Sequence, residues 1–123
     1  MSHINSTQFG EVIIDDKKYH QVLIVGDKAE ERDCEKLKKL FDTTHKIGDW
    51  EIEKLLKGNP QVIIIGTGQN GAMELDRETI QKLQSKGAKI ISDITPKMIE
   101  IYNSQVRLGK LGKRINALIH TTC

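Results

Sequence analysis

Pro60-Gln61-Val62-Ile63-Ile64-Ile65-Gly66-Thr67-Gly68-Gln69-Asn70-Gly71 decides the fold. Four consecutive apolar, β-prone side chains, Val62 to Ile65, end abruptly in a polar, glycine-rich turn. That pattern is a strand buried on both faces that runs into a tight loop. Open α/β sheets keep their ligand sites beyond strand ends of this kind. The spacing Gly66-x-Gly68-x-x-Gly71 is also that of the dinucleotide fingerprint. Three readings stand side by side: a dinucleotide loop, a turn that lets neighbouring side chains approach closely, and the rim of a pocket for a small anion or polar ligand.

The stretches on either side supply the rest of the sheet. Downstream, Asp76 is an N-cap for a helix through Lys86 with Ile80 and Leu83 inward and Gly87 as breaker. Lys89 to Ile94 follows as a strand. Thr95-Pro96 starts a helix in which Thr95 caps free amides and Ile99, Tyr102 and Val106 form the buried stripe, ending near Gly109. Arg114 to His120 closes the chain as a strand, with Ile115, Ala117 and Ile119 on one face and Leu118 on the other. Strands alternating with helices predict parallel pairing and right-handed crossovers. Upstream, Phe9 to Ile14 and Tyr19 to Val25 read as a hairpin joined by Asp15-Asp16-Lys17-Lys18. Leu37, Leu40 and Phe41 mark an amphipathic helix within residues 28 to 46. A second helix is capped by Asp49, with Ile52, Leu55 and Leu56 inward and Gly58-Asn59-Pro60 as its stop. The expectation is a three-layer α/β domain over residues 9–123, with a central mixed sheet, an N-terminal β-hairpin and a flexible lead over residues 1–8.

Length and composition fit one such domain: 123 residues, 37% hydrophobic and 29% charged. No apolar run approaches the roughly 20 residues of a membrane helix, and the N-terminus lacks the basic-then-apolar order of a signal peptide. A cytoplasmic location is the default expectation, with no membrane partner. Cys34 and Cys123 are the only cysteines and read as free thiols. A net charge of +2 does not by itself imply nucleic acid. Residues 86 to 114 nevertheless carry seven basic side chains against two acidic ones, Asp93 and Glu100.

The dinucleotide reading needs a helix N-terminus behind the glycines and an acid near the ribose. Asp93, at the end of the next strand, could be that acid, but the cap at Asp76 puts the helix start well after Gly71. A cleft of Thr67, Gly68, Gln69, Asn70, Asn103 and His120 forms if the glycine loop, the helix after Thr95 and the end of the last strand cluster. His120 is the one catalytic candidate there, as acid or base, with loop amides stabilising an oxygen anion. His45, His120 and Cys123 are too few, at spacings too loose, to specify a zinc site, and a Cys-His nucleophile needs a third, orienting group. Neither a metal nor a cofactor is expected. Lys110, Lys113 and Arg114 could meet phosphates, but aromatics for stacking are scarce, at 4% of the chain.

Phe9-Gly10 with Tyr19, His45, Pro60-x-Val62-Ile63-Ile64-Ile65-Gly66-Thr67-Gly68, Gly71, Thr95-Pro96, Tyr102-Asn103 and His120-x-x-Cys123 together carry a resemblance over almost the full length. The chain resembles an uncharacterised family of small α/β domains that includes the adipogenesis-associated domain-containing protein and a mitochondrial complex I assembly factor. The tryptophan cluster of many relatives is absent after the first hairpin, and Gln21 stands where relatives commonly have an acid. The resemblance implies a three-layer domain and no established enzyme activity. The resulting expectation is an interaction or assembly-accessory domain with a small polar pocket, binding a protein partner, a second copy or a small polar or anionic ligand. The alternatives are a small enzyme acting on a compact polar or anionic substrate, and weak nucleic-acid binding through the basic C-terminal half.

Overall fold

The computed structural model describes residues 3–108 and 114–123. Their fold is a single α/β domain built on two sheets. A small antiparallel sheet has the order β1 (Ile4–Gln8), β2 (Glu11–Ile14), β3 (Lys17–Tyr19). The central mixed sheet comprises β4 (Val22–Val25), β5 (Lys28–Glu31), β6 (Val62–Thr67), β7 (Lys89–Asp93) and β8 (Ile115–His120) in the order β5-β4-β8-β6-β7. β6 is parallel to both β7 and β8, while β4 is antiparallel to β5 and β8. The helices are α1 (Cys34–Phe41), α2 (Asp49–Leu55), α3 (Arg77–Gln84) and α4 (Thr95–Leu108).

Strand alternation sorts the core into two layers. Ile24, Ile64, Ala117 and Ile119 face α4 and the small sheet, meeting Met98, Tyr102, Val12 and Ile14. Leu23, Ile63, Ile65 and Leu118 face the other way, onto Ile52, Leu55 and Leu83. All six residues of β6 and all six of β8 are buried, as required of strands covered on both sides. The chain runs from β6 through α3 to β7, then returns through α4 to β8 on the far side of β6. Connections therefore diverge between β6 and β8, the topological switch point where doubly wound sheets hold ligands.

Several elements differ from the sequence expectation. Ile4–Gln8, assigned to the lead, form β1, and Phe9-Gly10 is the turn into β2 rather than the start of a strand. The run from Tyr19 to Val25 is broken at His20-Gln21, so its halves join different sheets. Asp15 and Asp16 alone make the hairpin turn, both at positive φ (49° and 67°), as a two-residue primed turn demands. Lys28–Glu31 form an edge strand instead of helix; their charges stay largely exposed, as suits a sheet edge. α2 is capped by Gly48, one residue before the expected Asp49. Asp76 caps α3 as expected, accepting from the Thr79 amide at 2.7 Å. The Thr95 hydroxyl does not cap its own helix: it accepts from the Gly68 amide at 3.0 Å and donates to the His120 carbonyl. Gly109, the expected end of α4, and the basic Lys110 and Lys113 lie outside the described residues.

The glycines of the loop after β6 encode close approach. A Cβ on Gly66 would lie 2.8 Å from Thr95 Oγ1. Gly68 has φ +112°, and a Cβ there would run into Cys123 O and lie 2.5 Å from Cys123 C. Gly71, at φ +72°, would meet only the Ile94 side chain, at 3.2 Å. Gly68→Ala should therefore cost about 1–3 kcal/mol in backbone strain alone, with a further loss from the backbone overlap. Gly71→Ala should cost about 1–2 kcal/mol. Urea unfolding of the two variants checks the order, and equal stability would contradict it.

Candidate functional site

The polar centre of the molecule starts from strand register. β4 and β8 pair with Val22 opposite Ile119, which continues to place Gln21 beside His120; on the other side of β8, Thr67 of β6 lies opposite His120. All three stand on the face that carries Leu23, Leu118 and Ile65, beneath the α1–α2 connection. His120, at 0% exposure, is fully buried. Into this row reaches Arg32, which follows β5 and is also buried.

Arg32 brings five N–H donors, and five acceptors meet them. Nε and one terminal nitrogen bind the two oxygens of Glu51 at 2.7 and 2.9 Å. The remaining donors go to Gln21 Oε1 at 2.7 Å, Thr44 O at 3.2 Å and Lys46 O at 3.0 Å. Glu51 Oε1 also accepts from the Gly48 amide at 3.0 Å, so the same carboxylate closes the first turn of α2. The ion pair is buried on both sides, and among the described residues no buried side-chain polar atom lacks a partner.

These bonds fix the state of His120. Arginine donates only, so the Gln21 atom it meets is the carbonyl oxygen, and His120 Nδ1, 2.8 Å from that oxygen, must carry the proton. Nε2 is then free to accept from Thr122 Oγ1 at 3.1 Å. The His45 ring packs edge-on, with centroids 5.0 Å apart. Burial, reinforced by the positive charge of Arg32 and by the neighbouring His45 and His20, pushes the His120 pKa down to about 4. The imidazole is neutral at pH 7.

The glycine loop is equally occupied. The amides of Gln69 and Asn70 bind Thr122 O (2.8 Å) and Cys123 O (3.3 Å). Ala72 N–H also binds Cys123 O, Gly71 N–H turns back to Gly68 O, and Met73 N–H binds Thr67 O. With Gly68 held by Thr95, each amide from residue 68 to residue 73 has an acceptor within the chain. The segment after β8 thus fills the switch-point crevice. Thr67 Oγ1 donates to Asp93 O, and Gln69 Nε2 to Thr7 Oγ1 and Gln8 O. Asn70 is exposed. Asp93, considered above for a ribose, accepts from the Ile94 amide at 2.7 Å and pairs with Lys97; the amide bond holds its carboxyl below the usual range.

The fold thus gathers Thr67, Gly68, Gln69 and His120 around the ends of β6 and β8. Asn103 is elsewhere: its side chain accepts from Ile4 N–H at 2.9 Å and donates to Ile4 O at 2.8 Å, fastening β1 to α4. Cys123 is exposed, and burial pushes the half-buried Cys34 thiol up. Among the described residues no three His, Cys, Asp or Glu side chains are grouped to hold a metal, and no helix is long and apolar enough to cross a membrane. Sequence reasoning missed Arg32, Glu51 and Asn116. Arg32 is one charge among many there, but Glu51, four residues before Leu55, sits on the inward stripe. Asn116 shares the alternation of Leu118 and His120; its amide donates to Leu55 O and Lys57 O, satisfying carbonyls at the end of α2.

Two expectations follow. Glu51→Ala should destabilise the domain by about 3–5 kcal/mol, because it strands a buried guanidinium. Combining it with Arg32→Met should recover much of the loss in a double-mutant cycle, and strict additivity would contradict the coupling. His120 binds a proton more weakly folded than unfolded, so its contribution is full above the unfolded pKa near 6.5 and declines down to about 4. That loss should reach about 3 kcal/mol. Gln21→Glu puts a carboxylate beside Nδ1 and should raise the His120 pKa, moving the window upward. NMR titration of the ring protons reads the shift, and no upward movement would contradict the pairing.

Comparison with known proteins gives a consistent family. The model of a protein family described as "Protein of unknown function (DUF498/DUF598)" matches residues 4–120. The conserved hypothetical protein PH1505 from Pyrococcus horikoshii OT3 is 33% identical, with 98% of each chain covered and a TM-score of 0.79. The structure of MT938 is 26% identical over 100% of both chains, with a TM-score of 0.77. A Mth938-like domain from Bordetella pertussis is similar in fold at 12% identity, with 97% of this chain and 85% of that chain covered and a TM-score of 0.63. With residues 4–120 matched, the chain belongs to the DUF498/DUF598 family.

Proposed function

We propose that the domain acts as an interaction or assembly-accessory module, and that the end of the sheet where β6 and β8 finish is the face it presents to a protein partner. The observation that carries this reading is the character of that end. Its loop amides are spent on the chain itself, while Phe9 (62% exposed) and Ile94 (39% exposed) stand at its edge. Phe9 is held there because the next amide, Gly10 N–H, binds Thr121 O at 3.0 Å. Ile94 leans over Gly71. An exposed aromatic and a β-branched side chain beside polar Gln69 and Asn70 have the make-up of an anchor with a polar rim. The likeness of the sequence motifs to those of an assembly factor supports the same class of role.

The burial of His120 and the use of both its nitrogens support binding over proton transfer, which needs the ring within reach of a substrate. In this reading Thr67, Gly68 and His120 shape the face from beneath, and Gln69 and Asn70 contribute to its rim. The test is site-specific photo-crosslinking in the native cell, with the probe placed at Phe9, at Ile94 and, as a control, at Gln84 on α3. A discrete adduct from positions 9 and 94, absent from 84 and abolished by Asn70→Lys, is the expected result. A second copy of the chain in the adduct would make the module self-associating. No adduct from positions 9 and 94, or the same products from all three, overturns the proposal.

A further inference from the structure

The opposite end of the sheet, where β6 and β8 begin, has a different chemistry. An open cleft of about 610 Å³ is walled by Trp50, Lys54, Leu56, Lys57, Asn59 and Lys86, with Glu53 at its side. Trp50, Glu53, Lys54 and Lys57 recur at helical spacing and so share the outer face of α2 and the turn that ends it. Lys86, beyond the end of α3, closes the cleft from the other side. Lys54 is engaged by Glu30 at 2.8 Å, whereas Lys57 and Lys86 make no ion pair among the described residues. Two adjoining depressions share its walls: one of about 390 Å³ adds Lys28, and one of about 280 Å³ adds Arg114. Each depression thus sets a further cation beside the cleft, with Glu30 and Glu53 as the acids between them.

Trp50 is seated rather than loose. A Cβ on Gly48 would come within 2.7 Å of the indole six-membered ring, so only glycine leaves room for the ring there. The Lys36 ammonium lies 4.2 Å from the ring centroid, which holds the indole further in place. A fixed aromatic wall facing two uncommitted lysines, in a volume within the roughly 300–1,000 Å³ of small-molecule sites, matches one ligand chemistry. We infer that this cleft binds a nucleoside phosphate, with the base against Trp50 and Leu56 and the phosphates between Lys57 and Lys86. Flat bases pack on aromatic rings without strict sequence preference, and lysine serves phosphate as a point charge. The same chemistry is offered by a free nucleotide and by the phosphorylated end of a single strand. The site is independent of the protein-binding face proposed above, which lies at the other end of β6 and β8.

Trp50 is the only tryptophan in the chain, so its fluorescence reports the cleft directly. The full chain is titrated with AMP, ATP, sodium tripolyphosphate and a 5′-phosphorylated oligothymidine. Saturable quenching by ATP and AMP, with ATP binding more tightly than tripolyphosphate, is expected. Lys57→Ala with Lys86→Ala should weaken ATP binding by about tenfold or more, since charge-assisted bonds are lost. Both side chains are exposed, and circular dichroism checks that the variant keeps its fold. Trp50→Leu, read by calorimetry, should remove the preference for ATP over tripolyphosphate. Tighter binding of the oligonucleotide than of ATP would assign the ligand to a strand end, and weaker binding to a free nucleotide. Absence of saturable binding by any nucleotide or oligonucleotide up to about 1 mM, undiminished affinity in the double-lysine variant, or tripolyphosphate binding as tightly as ATP overturns the inference.

Discussion

A buried guanidinium tolerates no unpaired donor, and Arg32 imposes that constraint on the rest of this structure. Removing arginine and glutamate from water costs several kcal/mol per ion, recovered only by near-ideal geometry and full hydrogen bonding. Each of the five donors is met, by Glu51 from α2, Gln21 from the start of β4, and the carbonyls of Thr44 and Lys46 from the α1–α2 connection. The connection has to turn inward at those two residues to supply its carbonyls. Glu51 at once neutralises the charge and closes the first turn of α2. Because apolar side chains of equal volume would stabilise such a site as well or better, what the pair contributes is arrangement: it sets how α2 and the edge strand meet the sheet.

The consequences pass outward through one oxygen. Gln21 Oε1 accepts from Arg32 and thereby obliges His120 to donate, which leaves Nε2 as the acceptor for Thr122. Thr122 in turn presents its carbonyl to the glycine loop. The switch-point crevice, where doubly wound sheets expose amides to ligands, is here filled by the chain itself. The backbone amides at that end are spent internally, and what remains outward is Phe9 and Ile94 beside the polar side chains of Gln69 and Asn70. At the other end Lys57, after α2, and Lys86, after α3, stand beside the one tryptophan and make no ion pair among the described residues. The two ends of one sheet are therefore suited to different kinds of contact.

Most of the second half of the chain was legible from local pattern. Val62 to Ile65, the cap at Asp76, the stripe of Ile99 and Tyr102, and the alternation of Ile115, Ala117 and Ile119 all carry their signals within a few residues, and each appears in the fold. The first half was harder. Ile4–Gln8 and Lys28–Glu31 are polar and short, and become strands because a neighbouring strand offers unpaired backbone groups. His20-Gln21 is a polar pair between β-prone segments, but local pattern does not record that the two halves join different sheets. The site followed the same division. The fold brings Thr67, Gly68, Gln69 and His120 together because strand ends concentrate there, while the amide of Asn103 is drawn away to the backbone of a strand that had not been foreseen.

The sequence by itself determined the layered α/β class, the glycine-rich turn at the end of the central strand, and the excess of positive charge in the C-terminal half. Those properties depend on side-chain period, on positive φ and on simple counting, all of which are local. Tertiary structure alone decided what the glycines approach, which charges are buried and which are left free. Arg32 and Glu51, 19 residues apart, become a dry pair only when strand and helix meet. Lys57 and Lys86 become walls of one cleft only when α2 and α3 pack side by side. Hydrogen bonding and charge pairing act over a few ångströms in space, and the spacing of residues along the chain does not record which of them folding will bring that close.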